Sequence, residues 1–394
     1  MKTAATARVL FVDDEPLVVQ ALQRMLRRLS DEWDMVFVTS GQEALQAMQS
    51  ESFGVIISDM QMPGMNGGRL LAQIAQTYPK TVRLILSGHA DKTSIMQCVG
   101  VAHQFLAKPC DPEELKTAIV HALHFEKSVK SDAVKEVIAK MTTLPSVPTL
   151  FHDINKKLQN EDSSLEEVAQ VIATDIGMTA KILKVVNSAF FGLKRQICSP
   201  VEAVTFLGLD TIKALALAVN AFSCFDGKTT GPISLENIWA HSLQVARWSH
   251  RIGCHENASQ KEIHECFTAG MLHDVGKLAL CSNLPASYRD VLELVNRDGL
   301  ALPVAEEKIF GVNHAVVGGY LLRLWGLPAR VVDTISFHHD PCNSSSETYL
   351  PLAAVHAANV FSNKINGSGA SPNNTYFTKH NLGSKLADWE TLQP

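Results

Sequence analysis

The strongest constraint on this chain is a set of five short apolar runs between Arg8 and Leu123: Val9 to Val12, Met35 to Val38, Val55 to Ile57, Leu84 to Leu86, and Gln104 to Leu106. The segments between them, such as Leu17 to Leu29 and Gln42 to Gln49, repeat their apolar residues at helical spacing. A strand that is apolar on both faces has to be covered on both faces, and helices supply that cover when the strands run parallel. The pattern predicts an α/β domain over residues 1–124, with a five-stranded, doubly wound parallel sheet.

The period changes at Asp111-Pro112-Glu113-Glu114, which reads as a cap residue, a proline at the first helical position and acids in the first turn. Apolar residues from Leu115 through Ile119, Leu123, Val134 and Ile138 to Met141 predict one long helix leaving the first domain. Residues 125–143 then form a helical linker, and the apolar stripe makes a homodimer an expectation. Leu144-Pro145-Ser146-Val147-Pro148 ends the linker. Residues 144–365 read as an all-helical domain, with start signals at Ser164, where Glu167 completes a capping-box spacing, and at Ser199-Pro200. The breaker-rich Asn366 to Pro372 predicts that 366–394 is a flexible tail.

A length of 394 residues suits two such domains, and 46% hydrophobic against 19% charged residues leaves ample material for packed cores. The net charge of -5, with no block of Lys or Arg, argues against direct nucleic-acid binding. The eight cysteines are scattered without a CxxC pair and read as buried free thiols. No signal peptide and no apolar run near ~18 residues is present, so the expected location is the cytoplasm, away from the membrane.

In an open parallel sheet the site lies beyond the carboxyl ends of the strands. Asp13 and Asp14 follow the first run, Asp59 the third, Ser87 the fourth and Lys108 the fifth. Taken singly, an aspartate at a strand end is an ordinary N-cap. Three carboxylates brought together repel one another, a penalty that a hard cation such as Mg²⁺ removes. With that charge shielded, Asp59 can attack a phosphoryl group while the Lys108 ammonium and the Ser87 hydroxyl stabilise its equatorial oxygens.

Val12-Asp13-Asp14-Glu15, Ser58-Asp59-Met60-Gln61-Met62-Pro63-Gly64, Leu86-Ser87-Gly88 and Lys108-Pro109 together resemble the receiver family of two-component response regulators, over about Arg8 to Leu123. The resemblance implies Mg²⁺ on Asp13, Asp14 and Asp59, with Asp14 the firmer of the first two. It also implies phosphorylation of Asp59 by a sensor histidine kinase or phosphotransfer protein, and a cis Lys108-Pro109 peptide. Ser87 and Lys108 would sense the phosphoryl group, and Phe105 would be the switch aromatic, although an aromatic in an apolar run is ordinarily core. Gln61 and His89 flank the site, where the family tunes phosphoryl lifetime.

The second domain is marked by histidines: His241, His273-Asp274-Val275-Gly276-Lys277, His314, His338-His339 and, near the end, His356-Ala357-Ala358-Asn359. Neutral imidazoles with a carboxylate can hold Zn²⁺ or a transition metal and generate hydroxide, which is phosphohydrolase chemistry. The pattern resembles the HD superfamily, whose metal set falls here on His241, His273, Asp274 and Asn359, with His314, His338 and His339 as second-metal or ligand contacts. Asn359 stands where that family has aspartate, and no Gly-Tyr-Pro follows His338-His339, which disfavours the HD-GYP phosphodiesterases. The HD-related output domain, HDOD, is the closer resemblance over about Leu144 to Lys364. It is carried by Leu144 to Pro148, Lys181 to Gly192, Ala203 to Gly208, Leu272 to Lys277, His314 to Leu322 and Trp325-Gly326-Leu327-Pro328. It implies a signalling or binding output whose downstream protein or small ligand is unidentified, with an HD-type phosphohydrolase as the alternative. The plainer reading of His273 and Asp274 is a hydrogen-bonded core pair.

Overall fold

The structure, a computed structural model, describes residues 7–27, 32–87, 98, 101–128, 131–141, 157, 164–187, 193, 195–208, 233–344, 350–365 and 371–394. The motif at 144–148, most of that at 187–192, and His89 lie outside the described residues. The chain divides into two compact units, the first built on residues 1–142 and the second on most of residues 143–394.

The apolar runs form the expected strands: β1 (Ala7–Val12), β2 (Trp33–Val38), β3 (Val55–Asp59), β4 (Val82–Ser87) and β5 (Gln104–Ala107). All neighbouring pairs are parallel, in the order β2-β1-β3-β4-β5. Val9, Leu10, Val55 and Ile56 have no exposed surface, so the central strands are buried on both faces. Helices α1 (Pro16–Leu26), α2 (Gly41–Ser50) and α3 (Gly67–Thr77) follow the first three strands. Ser40 and Asn66 start the latter two by accepting the backbone N–H of Glu43 and Arg69. The order reverses between β1 and β3, where Val12 pairs with Ser58. Asp13 and Asp59 therefore emerge side by side at the crevice where such sheets bind ligands.

The expected single linker helix is two helices, α4 (Pro112–Ser128) and α5 (Asp132–Lys140). The physical reason is local: the Ser131 hydroxyl accepts the Val134 N–H at 3.4 Å and caps a new helix. Among the described residues of the stripe that suggested a dimer, Leu115, Ile119, Val134, Ile138 and Met141 are buried within the chain. At the far end of α5, the Ala139 carbonyl lies 2.9 Å from His103 Nε2 and accepts Arg83 Nη2 at 3.1 Å. Arg83 opens β4 and His103 precedes β5, so the end of α5 is fixed to the edge of the sheet opposite the carboxyl-end crevice.

Among its described residues the second unit is helical, as expected. It comprises α6 (Leu165–Ala173), α7 (Ile176–Val186), α8 (Leu235–His255), α9 (Gln260–Leu272), α10 (Val275–Asn283), α11 (Pro285–Asp298), α12 (Leu302–Phe310), α13 (His314–Leu324), α14 (Ala329–Phe337) and α15 (Leu350–Ile365). Ser164 caps α6 as predicted, Ser259 and Glu262 form a capping box on α9, and helix resumes at Pro200.

The expected flexible tail is instead packed structure: α16 (Asn374–Lys379) and α17 (Leu386–Thr391). Tyr376, Phe377, Leu382 and Trp389 are buried. Trp389 Nε1 donates to Glu256 at 2.9 Å, and the Trp389 carbonyl accepts Trp248 Nε1 at 2.9 Å. The aromatic residues beyond Pro372 supply apolar surface enough to dock.

Candidate functional site

The acidic crevice is assembled by backbone contacts at three strand ends. Asp13 N–H donates to Val38 O at 3.2 Å, tying the end of β1 to that of β2. Asp13 Oδ1 accepts the Glu15 N–H at 3.1 Å, and Asp59 Oδ2 accepts the Gln61 N–H at 2.8 Å. Each carboxylate keeps its other oxygen for Lys108, whose Nζ lies 2.6 Å from Asp13 Oδ2 and 2.6 Å from Asp59 Oδ1. Asp59 is only 7% exposed, and burial raises its pKa, partly offset by Lys108. Burial pulls Lys108 down, but Asp13 and Asp59 more than reverse this and hold its ammonium charged. Gly67 is required here, because a Cβ on it would stand 2.0 Å from the Asp59 carbonyl oxygen.

Asp13, Asp59 and Lys108 thus meet in one contact. Asp14 instead lines an adjoining cleft of about 650 Å³ with Met60, Gln61, Asn66 and Arg69. The oxygen-rich donor set, Asp13 and Asp59 with Asp14 at the cleft, fits a hard cation. Ser87 ends β4, paired with Ala107, and Phe105 is buried on β5 opposite Ile85. The Lys108-Pro109 peptide is cis, as expected.

Five histidines of the second unit converge from four helices around Asp274. His273 ends α9, Asp274 precedes α10, His314 opens α13, His338 and His339 follow α14, and His241 and Asn359 lie on α8 and α15. Gly276 makes the convergence sterically feasible: a Cβ there would stand 1.9 Å from His314 O, so α10 and α13 meet backbone to backbone. Asp274 Oδ1 lies 3.2 Å from His314 Nε2, 3.4 Å from His273 Nε2 and 4.0 Å from His338 Nε2. Its Oδ2 takes the Lys277 ammonium at 2.6 Å. His314 Nε2 also faces His339 Nε2 at 2.9 Å.

Among the described residues two sets of donor atoms have metal-ligand spacing: His241 with His273 and Asp274, and His314 with His338 and His339. The Nδ1 atoms of His273 and His338 each point at a backbone carbonyl, Gly270 O at 2.8 Å and Ile335 O at 2.7 Å. A carbonyl only accepts, so those nitrogens carry the proton and Nε2 of the neutral ring is a free lone pair. Burial pushes His273 down to about 3 and His338 and His339 well below the ordinary imidazole range, which keeps them neutral. Asp274 is held well below the usual carboxylate range; burial opposes this, but Lys277 and the surrounding imidazoles win. Neither His273 Nε2 nor His338 Nε2 has a hydrogen-bond partner among the described residues, and Asp274 Oδ1 is met only by imidazole nitrogens at 3.2 to 4.0 Å, although all three are buried. An unpaired buried acceptor is costly, and two converging on a buried carboxylate fit a cation better than a structural core pair.

Glu306 is a member of this site that sequence reading missed. It accepts His314 Nδ1 at 2.6 Å and His314 N–H at 2.8 Å, and Tyr288 OH donates to its other oxygen at 2.7 Å. No motif surrounds it; its only sequence signal is an acid inside an apolar helical face.

A family model for the HDOD domain matches residues 144–341, half of the chain, and one for the response regulator receiver domain matches residues 9–120. The chain belongs to the HDOD domain family, with a receiver domain at its amino end, an arrangement that defines a response-regulator architecture. The MmoQ response regulator from Methylococcus capsulatus str. Bath is 27% identical, with a TM-score of 0.50 over 63% of this chain and 98% of that one. An uncharacterized protein of Treponema pallidum (strain Nichols) is 25% identical over 216 residues, 55% of this chain and 41% of that protein. The hydrogenase transcriptional regulatory protein HoxA of Cupriavidus necator is 33% identical over 160 residues, 40% of this chain and 32% of that protein. The chain spans less than half the length of these two curated relatives.

Proposed function

We propose that Asp59 accepts a phosphoryl group from a sensor histidine kinase or phosphotransfer protein in the cytoplasm, and that its phosphorylation sets the state of the HDOD output. The carrying observation is the placement of Lys108 Nζ at 2.6 Å from both Asp13 and Asp59. An Asp59 carboxylate oxygen attacks phosphorus, the N–P bond to the donor imidazole breaks, and the imidazole leaves with a proton. Mg²⁺, held by Asp13, Asp14 and Asp59, would shield the charge of the incoming phosphoryl group. Lys108 then exchanges its carboxylate contacts for a phosphoryl oxygen, and Ser87 takes another. Those movements act on β4 and β5, where Phe105 sits. Incubation with acetyl phosphate and Mg²⁺ should label the wild-type chain, and Asp59→Asn should abolish the label; a label that survives Asp59→Asn overturns the proposal.

The output is read first as a module that binds a protein or small ligand. A metal-dependent phosphohydrolase is the second reading, favoured by the unpartnered His273 and His338 nitrogens beside Asp274. Metal analysis of the purified chain tests it, followed by hydrolysis of cyclic dinucleotides and nucleoside phosphates. A chain that cannot be loaded with metal removes the second reading.

A further inference from the structure

The two donor clusters around Asp274 invite a pair of ions, but the hydrogen bonds around His241 do not permit both. His241 Nδ1 lies 3.0 Å from Ser362 Oγ, and that hydroxyl donates its one proton to Gln244 Oε1 at 2.6 Å. With the Gln244 oxygen facing it, Ser362 accepts from a protonated His241 Nδ1; with that amide turned, the hydroxyl donates to Nδ1 and the ring proton is on Nε2. The other nitrogen, Nε2, lies 3.0 Å from the side-chain amide of Asn359, which in turn lies 2.9 Å from the amide of Asn363. The oxygen and nitrogen of an amide are interchangeable in shape. If the Asn359 NH₂ faces inward, its two hydrogens serve His241 Nε2 and Asn363. If its oxygen faces inward, His241 Nε2 carries the proton that meets it. In both arrangements a proton already sits on the line between His241 Nε2 and residue 359.

An aspartate at position 359 behaves differently. A carboxylate has no hydrogen to offer, so a neutral His241 protonated on Nδ1 and an ionised carboxylate would present two acceptors to each other at about this distance. A cation placed between them relieves that conflict. With Asn359 a hydrogen, from the amide or from His241 Nε2, fills that gap instead.

In the second cluster a proton also lies between His314 Nε2 and His339 Nε2, 2.9 Å apart, but an imidazole, unlike an amide, can move that proton to its other nitrogen and present a lone pair. His338 Nε2 is buried and unpartnered, and Asp274 Oδ1 is met by His314 Nε2 at 3.2 Å. A tetrahedral ion with bonds of about 2.0–2.2 Å would have ligand-to-ligand edges of about 3.3–3.6 Å. The 3.2 and 4.0 Å separations of His314 and His338 from Asp274 Oδ1 lie on either side of that edge. Glu306 fixes the His314 ring through Nδ1, which leaves Nε2 to serve as ligand.

We propose that this pocket holds one transition-metal ion, on His314, His338, His339 and Asp274, and that Asn359 withdraws His241 from a second. This rests on the metal reading of the pocket, and it separates the one-ion state of this chain from the two-ion state its ligand spacing would suggest.

The test is a Co²⁺ titration of the chelator-treated full chain in excess Mg²⁺, which fills the acidic crevice of the first unit. Visible absorption and elemental analysis are read together. The expected result is one equivalent bound, with affinity changed less than about threefold in His241→Ala and His241→Gln. His338→Ala should lose at least tenfold, and Asn359→Asp should bind a second equivalent. Circular dichroism confirms that each variant is folded. Two equivalents in the wild-type chain, or loss of the first equivalent in both His241 variants, overturns the proposal while leaving the metal reading intact. No Co²⁺ in the wild-type chain or in Asn359→Asp overturns the metal reading, and the proposal with it.

Discussion

Replacing Arg83 with Met tests whether the carboxyl end of α5 is held to the sheet by hydrogen bonds from a buried guanidinium. Arg83 is 1% exposed, and its guanidinium donates to three carbonyl oxygens, Val101 O at 2.8 Å, Thr81 O at 2.9 Å and Ala139 O at 3.1 Å, with His103 Nε2 farther off at 3.5 Å. Two effects oppose each other. Burial of the guanidinium is unfavourable, seen in a pKa pushed down from 12.5 to about 10, and at 1.36 kcal/mol per unit that cost is about 3 kcal/mol. Three hydrogen bonds from a charged donor contribute about 1.5–3 kcal/mol each, or roughly 5–9 kcal/mol together. Met keeps the apolar stem and removes both effects, so the net loss should be about 2–6 kcal/mol. Ala139 O would keep its contact with His103, which favours the lower half of that range. Urea unfolding of the full chain, followed by hydrogen exchange over residues 132–140, measures it. The variant should unfold at lower urea and α5 should exchange faster. Wild-type stability in Arg83→Met would refute the reasoning, because desolvation would then cancel the hydrogen bonds.

Trp389→Ala should destabilise the second unit by about 3–5 kcal/mol, the usual cost of emptying a buried tryptophan site, since Trp389 has no exposed surface; thermal melting checks this, and an unchanged midpoint would mean that α17 is not docked. In chelator, the same unit should lose stability as pH falls from 6.5 toward 5. His273, pushed down to about 3 by burial, and His338 and His339, also lowered by burial, stay neutral in the folded state but charge in the unfolded chain. Their contribution is complete above the unfolded pKa and is lost at about 1.4 kcal/mol per pH unit for each group. His314, held up by Glu306 against burial, works in the opposite direction and offsets one of the three. Melting temperatures that rise on acidification through this window would contradict these assignments.

Much of the architecture was legible because periodicity is a local property. The fully apolar runs around Val9, Val55 and Leu84 could only be strands covered on both sides, and a polar residue at the end of each marked the crevice. Local signals also misled where packing decides: Ser131 divides a helix that the apolar stripe alone would continue, and the aromatics after Pro372 dock a segment whose composition read as loose. The histidine positions were readable, but their states were not. Only tertiary structure decides that His273 and His338 donate through Nδ1 to carbonyls of their own helices, that Glu306 orients His314, and that Asn359 faces His241. Chain order determines which groups are available and on which element, because backbone preference acts over a few residues. Which lone pair stays free is decided by partners about 120 residues away in the chain, such as Asn359 and Ser362 on His241, and those meet only once the helices have packed.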